Sequence, residues 1–304
     1  MNVYIITSAK FEECYIEEWV KYHLSIGIDK IIINDNNPKD YPYKLQDILK
    51  KYIDNNQVII ERYYDHFNKN VFDEQNMYKI YTWLYKKYKD EFDWVCKFDI
   101  DEFLEIPETN NDIKKFLAQD KFDNALSIII PFVVYGVKDG YINKFTRLKN
   151  NRDRYKKLNY KHIECTTGSF KSIIKKTDIP ITISLHYAYF KTKDPNLIHY
   201  VFPNGNNMIS NILMNHKDHL ADILFKHNKK YFCEELSSIC HLNHYSYGSI
   251  EEQVNHAIKF EADKYKTWCL HKFYIQLYNK YKDMFEHPRD LYKIYFIDNI
   301  NNIE

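Results

Sequence analysis

An α/β architecture, with a mostly parallel central sheet flanked by helices, is expected from three features of this 304-residue chain. Short apolar runs recur through its first half, each suited to a buried strand. Segments with apolar residues at helical spacing separate those runs, and clusters of Gly, Asn, Asp and Pro mark the changes. Strands alternating with helices build right-handed βαβ units, and hence a parallel sheet covered on both faces.

The elements follow in order. Val3-Tyr4-Ile5-Ile6-Thr7 reads as the first strand. Glu12 to Ile26 reads as a helix, with Ile16, Trp19, Val20, His23 and Leu24 on one face and Gly27 as its stop. Lys30 to Asn34 is a second strand running into the turn-rich Asp35-Asn36-Asn37-Pro38. Tyr43 to Asp54 reads as a helix, Gln57 to Glu61 as a third strand and Asp73 to Lys89 as a long helix. Trp94 to Phe98 is a fourth strand, ending at Asp99. From Ala125 the rhythm changes. Leu126 to Tyr135 reads as a strand, Gly136 to Gly140 as a turn and Lys144 to Arg154 as a polar, basic segment. Lys171 to Lys175 and Ile181 to Leu185 are further strands. Beyond Ile250 the pattern is helical, over Glu251 to Phe260, Thr267 to Tyr281 and Pro288 to Phe296. The chain therefore divides into an α/β core over 1–250 and a C-terminal helical extension over 251–304.

Lys+Arg 43 against Asp+Glu 42 leaves a net charge of +1, so no global field favours nucleic acid. The six cysteines (Cys14, Cys96, Cys165, Cys233, Cys240 and Cys269) show no C-x-x-C spacing. The N-terminus also lacks a basic region followed by a long apolar stretch. Together these lead to the expectation of free thiols in a reducing, cytoplasmic compartment. Ala125 to Gly136 is the most apolar run, too short to span a bilayer and interrupted by Pro131. Tyrosine is abundant, 28 against 4 tryptophans. That excess fits first an AT-rich genome; the alternative is sugar recognition by rings with a polar tip.

Ligands of doubly wound sheets bind beyond the carboxyl ends of the strands. Those ends are Thr7 to Lys10, Asp35 to Asn37, and Asp99-Ile100-Asp101. In an extended segment residues i and i+2 share a side, so Asp99 and Asp101 can face one point. Two converging carboxylates repel unless a cation lies between them, which suits a hard divalent ion, Mn²⁺ or Mg²⁺. A solvated acidic loop is the alternative. Asp35 reads either as a ligand contact or as an Asx-turn residue.

KFEECYIEEWVKYHLSIGIDKIIINDNN (Lys10 to Asn37), DWVCKFDIDEF (Asp93 to Phe103) and HLNHYSYGSIEE (His241 to Glu252) carry a resemblance. They are similar to landmarks of nucleotide-sugar-dependent glycosyltransferases of the family 2 and family 92 type, with the GT-A fold. Lys10, Glu12, Tyr15, Glu18, Trp19, Tyr22, His23 and Gly27 match the first motif. The resemblance implies a nucleotide-sugar-binding part over about 1–105 and an acceptor-binding part over about 106–250. It implies that Asp99, Asp101 and His244 hold the metal, and that Asp99 also helps seat the donor. Asp35 matches the nucleobase contact, Thr7 and Lys10 would line the base and ribose pocket, and Gln75 and Tyr78 would face the donor. Two positions depart from the pattern: Phe11 replaces asparagine, and Gly248 replaces a lysine expected to neutralise the donor diphosphate. Lys171 is one substitute for that lysine. The basic segment of Arg147, Lys149, Arg152, Arg154, Lys156 and Lys157 is another, or else a solvated loop.

The implied reaction moves a hexose (galactose, glucose or an N-acetylhexosamine) from a UDP-linked donor to a hydroxyl, with inversion. The acceptor expected is a glycan or lipid-linked glycan of a bacterial surface, such as capsule or lipopolysaccharide. Peripheral membrane contact through the helices near Trp268 to Tyr281 would accompany it. Inversion needs a base, and Asp139 and His186 are the first candidates, ahead of Glu164 and Asp178. Two other readings compete. One is a degenerate transferase that binds sugar or nucleotide without turnover. The other is a haloacid-dehalogenase-like phosphatase, whose motif also follows a strand but lies near the N-terminus and lacks a Glu102-Phe103 counterpart.

Overall fold

The computed structural model describes residues 1–67 except 11, 14, 38 and 40, then 74–137, 155–157, 170–192, 200–207 and 235–247. The chain runs through β1 (Val3–Ala9), α1 (Ile16–Ser25), β2 (Lys30–Asp35), α2 (Leu45–Ile48), α3 (Lys50–Asp54) and β3 (Val58–Glu61). It continues through α4 (Tyr63–Phe67), α5 (Glu74–Tyr88), β4 (Trp94–Lys97), β5 (Glu102–Glu105), α6 (Ile113–Leu117) and the long β6 (Ser127–Val137). The later elements are β7 (Tyr155–Lys157), β8 (Phe170–Lys175), β9 (Ile181–Ile183), β10 (Ala188–Phe190), β11 (Tyr200–Val201), α7 (Glu235–Ile239) and β12 (His241–Tyr247).

The main sheet has the order β3-β2-β1-β4-β8-β6-β12-β5, and β9 and β10 form a separate antiparallel pair. The first four strands are parallel, with Ile5 opposite both Ile31 and Cys96. β1 is covered on both faces: Val3, Ile5 and Ile6 are fully buried and Tyr4 nearly so. Tyr4 and Ile6 face a layer containing Ile80, Tyr81, Leu84 and Tyr85 of α5. The architecture is the α/β arrangement expected from the sequence, with a parallel, Rossmann-like half. After β4 it departs from parallel pairing, because β8 lies antiparallel to β4 and β6 antiparallel to β8.

Several boundaries differ from the sequence reading. The helix expected over Tyr43 to Asp54 is two short ones, broken at Leu49, where φ is −100° and ψ 11°. The break keeps Leu45, Leu49 and Tyr52 all buried. α1 begins at Ile16 rather than Glu12, since Glu12 and Tyr15 occupy the preceding turn. Its stop falls where expected: Gly27 takes φ +100°, and the Gly27 and Ile28 amides donate to Leu24 and His23 carbonyls. That left-handed helix end favours glycine. Strands β5 and β12 were not foreseen.

By compactness the chain forms two units, Met1–Val134 with Leu158–His244 and Tyr135–Lys157 with Tyr245–Glu304. Within the second, the end of β6 pairs antiparallel with β7, Tyr135 opposite Lys157. The helices expected beyond Ile250, and the basic segment up to Arg154, lie outside the described residues. Among the described residues, no helix is long and apolar enough to cross a membrane.

Candidate active site

The carboxyl end of β4 leads into a tight turn rather than an extended segment. Glu102 N donates to Asp99 O at 3.1 Å, and Asp99 N donates to Glu102 Oε2 at 2.8 Å. This reciprocal bonding folds Asp99-Ile100-Asp101-Glu102 back into β5. The expected alternation of Asp99 and Asp101 along an extended strand is therefore corrected: a turn sets their directions independently.

β5 pairs antiparallel with β12 in a register that places Glu102 opposite His244. His244 Nε2 comes within 3.3 Å of Asp101 Oδ2, and its ring packs 4.7 Å from that of Phe132. Burial works to lower the His244 pKa, but the charge and hydrogen bond of Asp101, joined by Glu102, outweigh it and leave the pKa raised. Ligand-capable atoms of Asp101, Glu102 and His244 all lie within 4.8 Å of one another. Two carboxylates and an imidazole are a donor set that suits Mn²⁺ or Mg²⁺.

Asp99 faces other partners. Lys97 Nζ donates to its Oδ1 at 2.6 Å, and Lys171 Nζ donates to its Oδ2. Both lysine side chains are 1 % exposed, whereas that of Asp99 is 39 % exposed. Lys171 also donates to Leu185 O at 2.9 Å and lies 3.3 Å from Glu102 Oε1. Burial alone would raise the Asp99 pKa; the two ammonium groups reverse that and hold it well below the carboxylate range. Burial raises the Glu102 pKa and lowers that of Lys97 to about 8. For Lys171, burial is outweighed by Asp99 and Glu102, so its pKa rises. With its donors committed to these oxygens, Lys171 is an internal counter-ion. The reading of Lys171 as the cation facing a donor diphosphate is corrected on that ground.

The first motif acts from behind. Trp19 Nε1 donates to Glu102 O at 2.8 Å, and the Tyr22 hydroxyl donates to Leu104 O at 2.5 Å. Leu104 N donates to His23 Nε2 at 3.4 Å, while His23 Nδ1 lies 2.9 Å from Trp19 O. One face of α1 thus grips the backbone of β5. The spacing of Trp19, Tyr22 and His23 is explained by this grip, a role the sequence reading did not assign to them.

The other predicted residues distribute as follows. Thr7 is fully buried on β1, and its hydroxyl has no hydrogen-bond partner among the described residues. Lys10 follows β1 and is half-buried. Asp35 is 3 % exposed and makes an Asx turn, accepting from Asn37 N at 3.0 Å. Arg62 donates to Asp35 Oδ2 at 2.8 Å and to Asn37 O at 2.9 Å. Gln75 and Tyr78 lie on α5, where Tyr78 is 38 % exposed.

His186 sits in the loop between β9 and β10. That loop is tied to β8 by Lys171 at Leu185 O and by the Ser172 hydroxyl at His186 O, 3.1 Å. Burial, with Lys171 and Lys97 nearby, lowers the His186 pKa to about 3, so the imidazole stays neutral and is a weak base here. Its Nδ1 has no partner among the described residues. Asp178 is corrected as a candidate base. It follows β8 at the edge where Trp94 pairs with Lys175, opposite to the edge bearing Asp101, and it pairs with Lys89 at 3.2 Å. Asp139 and Glu164 lie outside the described residues. Glu102, Lys97 and Arg62 were not singled out by the sequence; only adjacency to Asp101 could have signalled Glu102.

No family model and no curated protein matches the chain. Among solved structures, it is similar to S. aureus TarS at 15% identity and a TM-score of 0.32, over 47% of this chain and 23% of that one. A second structure, TarS 1-349, gives 18% identity and 0.32, over 47% and 38%. A glycosyltransferase involved in the glycosylation of the major capsid of PBCV-1 gives 12% identity and 0.23, over 58% and 61%. The aligned part spans less than two thirds of each of these chains.

Proposed function

We propose that this chain is a metal-dependent glycosyltransferase that moves a hexose from a UDP-linked donor to a hydroxyl of a surface glycan, with inversion. One observation carries the reading. Three segments far apart in sequence, Trp19 to His23, Asp99 to Glu102 and His241 to His244, converge on one turn at the carboxyl end of β4. That is the edge of a parallel sheet where phosphorylated ligands bind.

Asp101 and His244, with Glu102 beside them, are the residues that would hold Mn²⁺ or Mg²⁺. When bound, such an ion supplies positive charge to the donor phosphates and makes the nucleoside diphosphate a competent leaving group. The chain's own part is to fix the turn: α1 holds the β5 backbone, and the β5–β12 register delivers His244 to Asp101. Asp35, with Thr7 and Lys10, is proposed to border the base and ribose. Asp139, outside the described residues, is the base candidate that remains; His186, on the loop beside Asp99, is held neutral by its burial and would take the proton only weakly. The acceptor class, and the placement at the cytoplasmic face of a membrane, rest on the sequence resemblance.

A thermal-stability screen of nucleotide sugars with and without Mn²⁺ tests the proposal. A specific donor at a hundredfold excess over its Kd stabilises by about 2.7 kcal/mol, a rise in Tm of roughly 5 °C. EDTA should abolish the shift. A panel of UDP-, GDP- and CMP-sugars that leaves Tm unchanged with Mn²⁺ present would overturn it.

A further inference from the structure

We propose that Lys97 and Lys171 are positioning residues that pin Asp99 as their counter-ion, so that the divalent cation is held by Asp101, Glu102 and His244 without Asp99. This rests on the metal-dependent reading above and divides the two aspartates of Asp99-Ile100-Asp101 between different tasks.

The argument is one of charge and burial. Lys97 and Lys171 carry their ammonium groups at the carboxyl edge of the sheet with 1 % of each side chain exposed. Lys97 has the Asp99 carboxylate on one side and the ring of Tyr81, 4.6 Å from Nζ, on another. Were Asp99 to turn both oxygens to an ion, Lys97 would lose its hydrogen-bonded carboxylate. A buried ammonium stripped of its carboxylate is strongly unfavourable. Lys171 is tied three ways, to Asp99, Glu102 and Leu185 O, and so links the acidic turn to the loop carrying His186.

The turn itself separates the tasks. Asp99 and Glu102 hold one another, the Glu102 amide donating to the Asp99 carbonyl and the Asp99 amide to the Glu102 carboxylate, while Asp101 projects to His244. Among the described residues, the group of acidic and imidazole side chains whose atoms lie close enough to share an ion is Asp101, Glu102 and His244. In this arrangement Asp99 cancels a positive charge that would otherwise repel the incoming cation.

The test is Mn²⁺ affinity, read by electron paramagnetic resonance of free Mn²⁺ on the full chain, with circular dichroism confirming that each variant folds. The variants are Asp101→Asn, Asp99→Asn, Lys97→Met and the double replacement Asp99→Asn with Lys97→Met. Charge near the ion predicts opposite signs: Lys97→Met tightens binding and Asp99→Asn weakens it, each by about three- to tenfold. The double variant, which restores the local charge balance, returns to within roughly threefold of wild type, whereas Asp101→Asn loses about thirtyfold or more. A merely structural role would weaken binding in every variant. A double variant more than about tenfold weaker, as expected on losing a ligand, overturns the proposal; so does weaker binding by Lys97→Met. Wild-type protein that binds no Mn²⁺ overturns the metal-dependent reading together with it, whereas binding by wild type and not by the double variant overturns this proposal alone.

Discussion

Acidification should weaken the fold through His23, and the size of the effect follows from its surroundings. The imidazole is fully buried between α1 and β5, stacked against Phe103. Because Leu104 N donates to Nε2, the ring proton resides on Nδ1, which donates to Trp19 O. Burial lowers its pKa to about 3, only partly offset by the Trp19 bond. The unfolded chain has an ordinary value near ~6.5. Between those values the unfolded state takes up a proton that the folded state refuses, so stability is full above pH 6.5 and falls as the pH drops towards 3. At pH 5.5 the loss from this one group is about RT ln 11, or ~1.4 kcal/mol, relative to pH 7.5. Urea unfolding of wild type and His23→Gln at the two pH values isolates it. The variant is less stable at pH 7.5, and its deficit should shrink by about 1.4 kcal/mol at pH 5.5. A deficit that stays constant between the two pH values would refute the assignment of a neutral, buried His23.

Two further substitutions probe the scaffold around the site. Gly27→Ala places a Cβ at φ +100° and should cost about 1–2 kcal/mol; a melting temperature equal to wild type would contradict the left-handed helix end. Arg62→Leu leaves the 3 % exposed Asp35 without its cationic partner. A loss of about 2–3 kcal/mol is expected. An unchanged urea midpoint at pH 7 would count against the Asp35–Arg62 pair.

The parallel half of the fold was legible because its strands are buried on both faces and separated by helices. Runs such as Val3 to Thr7 and Lys30 to Asn34 have few alternative readings. The antiparallel continuation was not, because β5 holds only Glu102–Glu105, with acids at both ends and two apolar residues between. No four-residue pattern of that kind declares its partner, and the pairing with β12 spans more than a hundred positions. The acidic pair was found from its place at the end of a strand, and His244 through motif resemblance. Lys171 was singled out but with another role, and Lys97 was not foreseen: it stands in an apolar strand, and nothing in the sequence separates a buried lysine from a solvated one. Asp35 shows a related ambiguity. The Asx turn left open at the sequence level is present, and Arg62 joins it from just beyond the end of β3, where nothing in the sequence signalled the pairing.

The account turns on whether a divalent ion sits at the turn after β4. Crystals of the chain grown with Mn²⁺ and UDP, measured at the manganese absorption edge, test this directly. The predicted result is one anomalous peak about 2.1 Å from an Asp101 carboxylate oxygen and from His244 Nε2, with the UDP diphosphate against it. A peak elsewhere, or ordered UDP with no ion between Asp101 and His244, would contradict it.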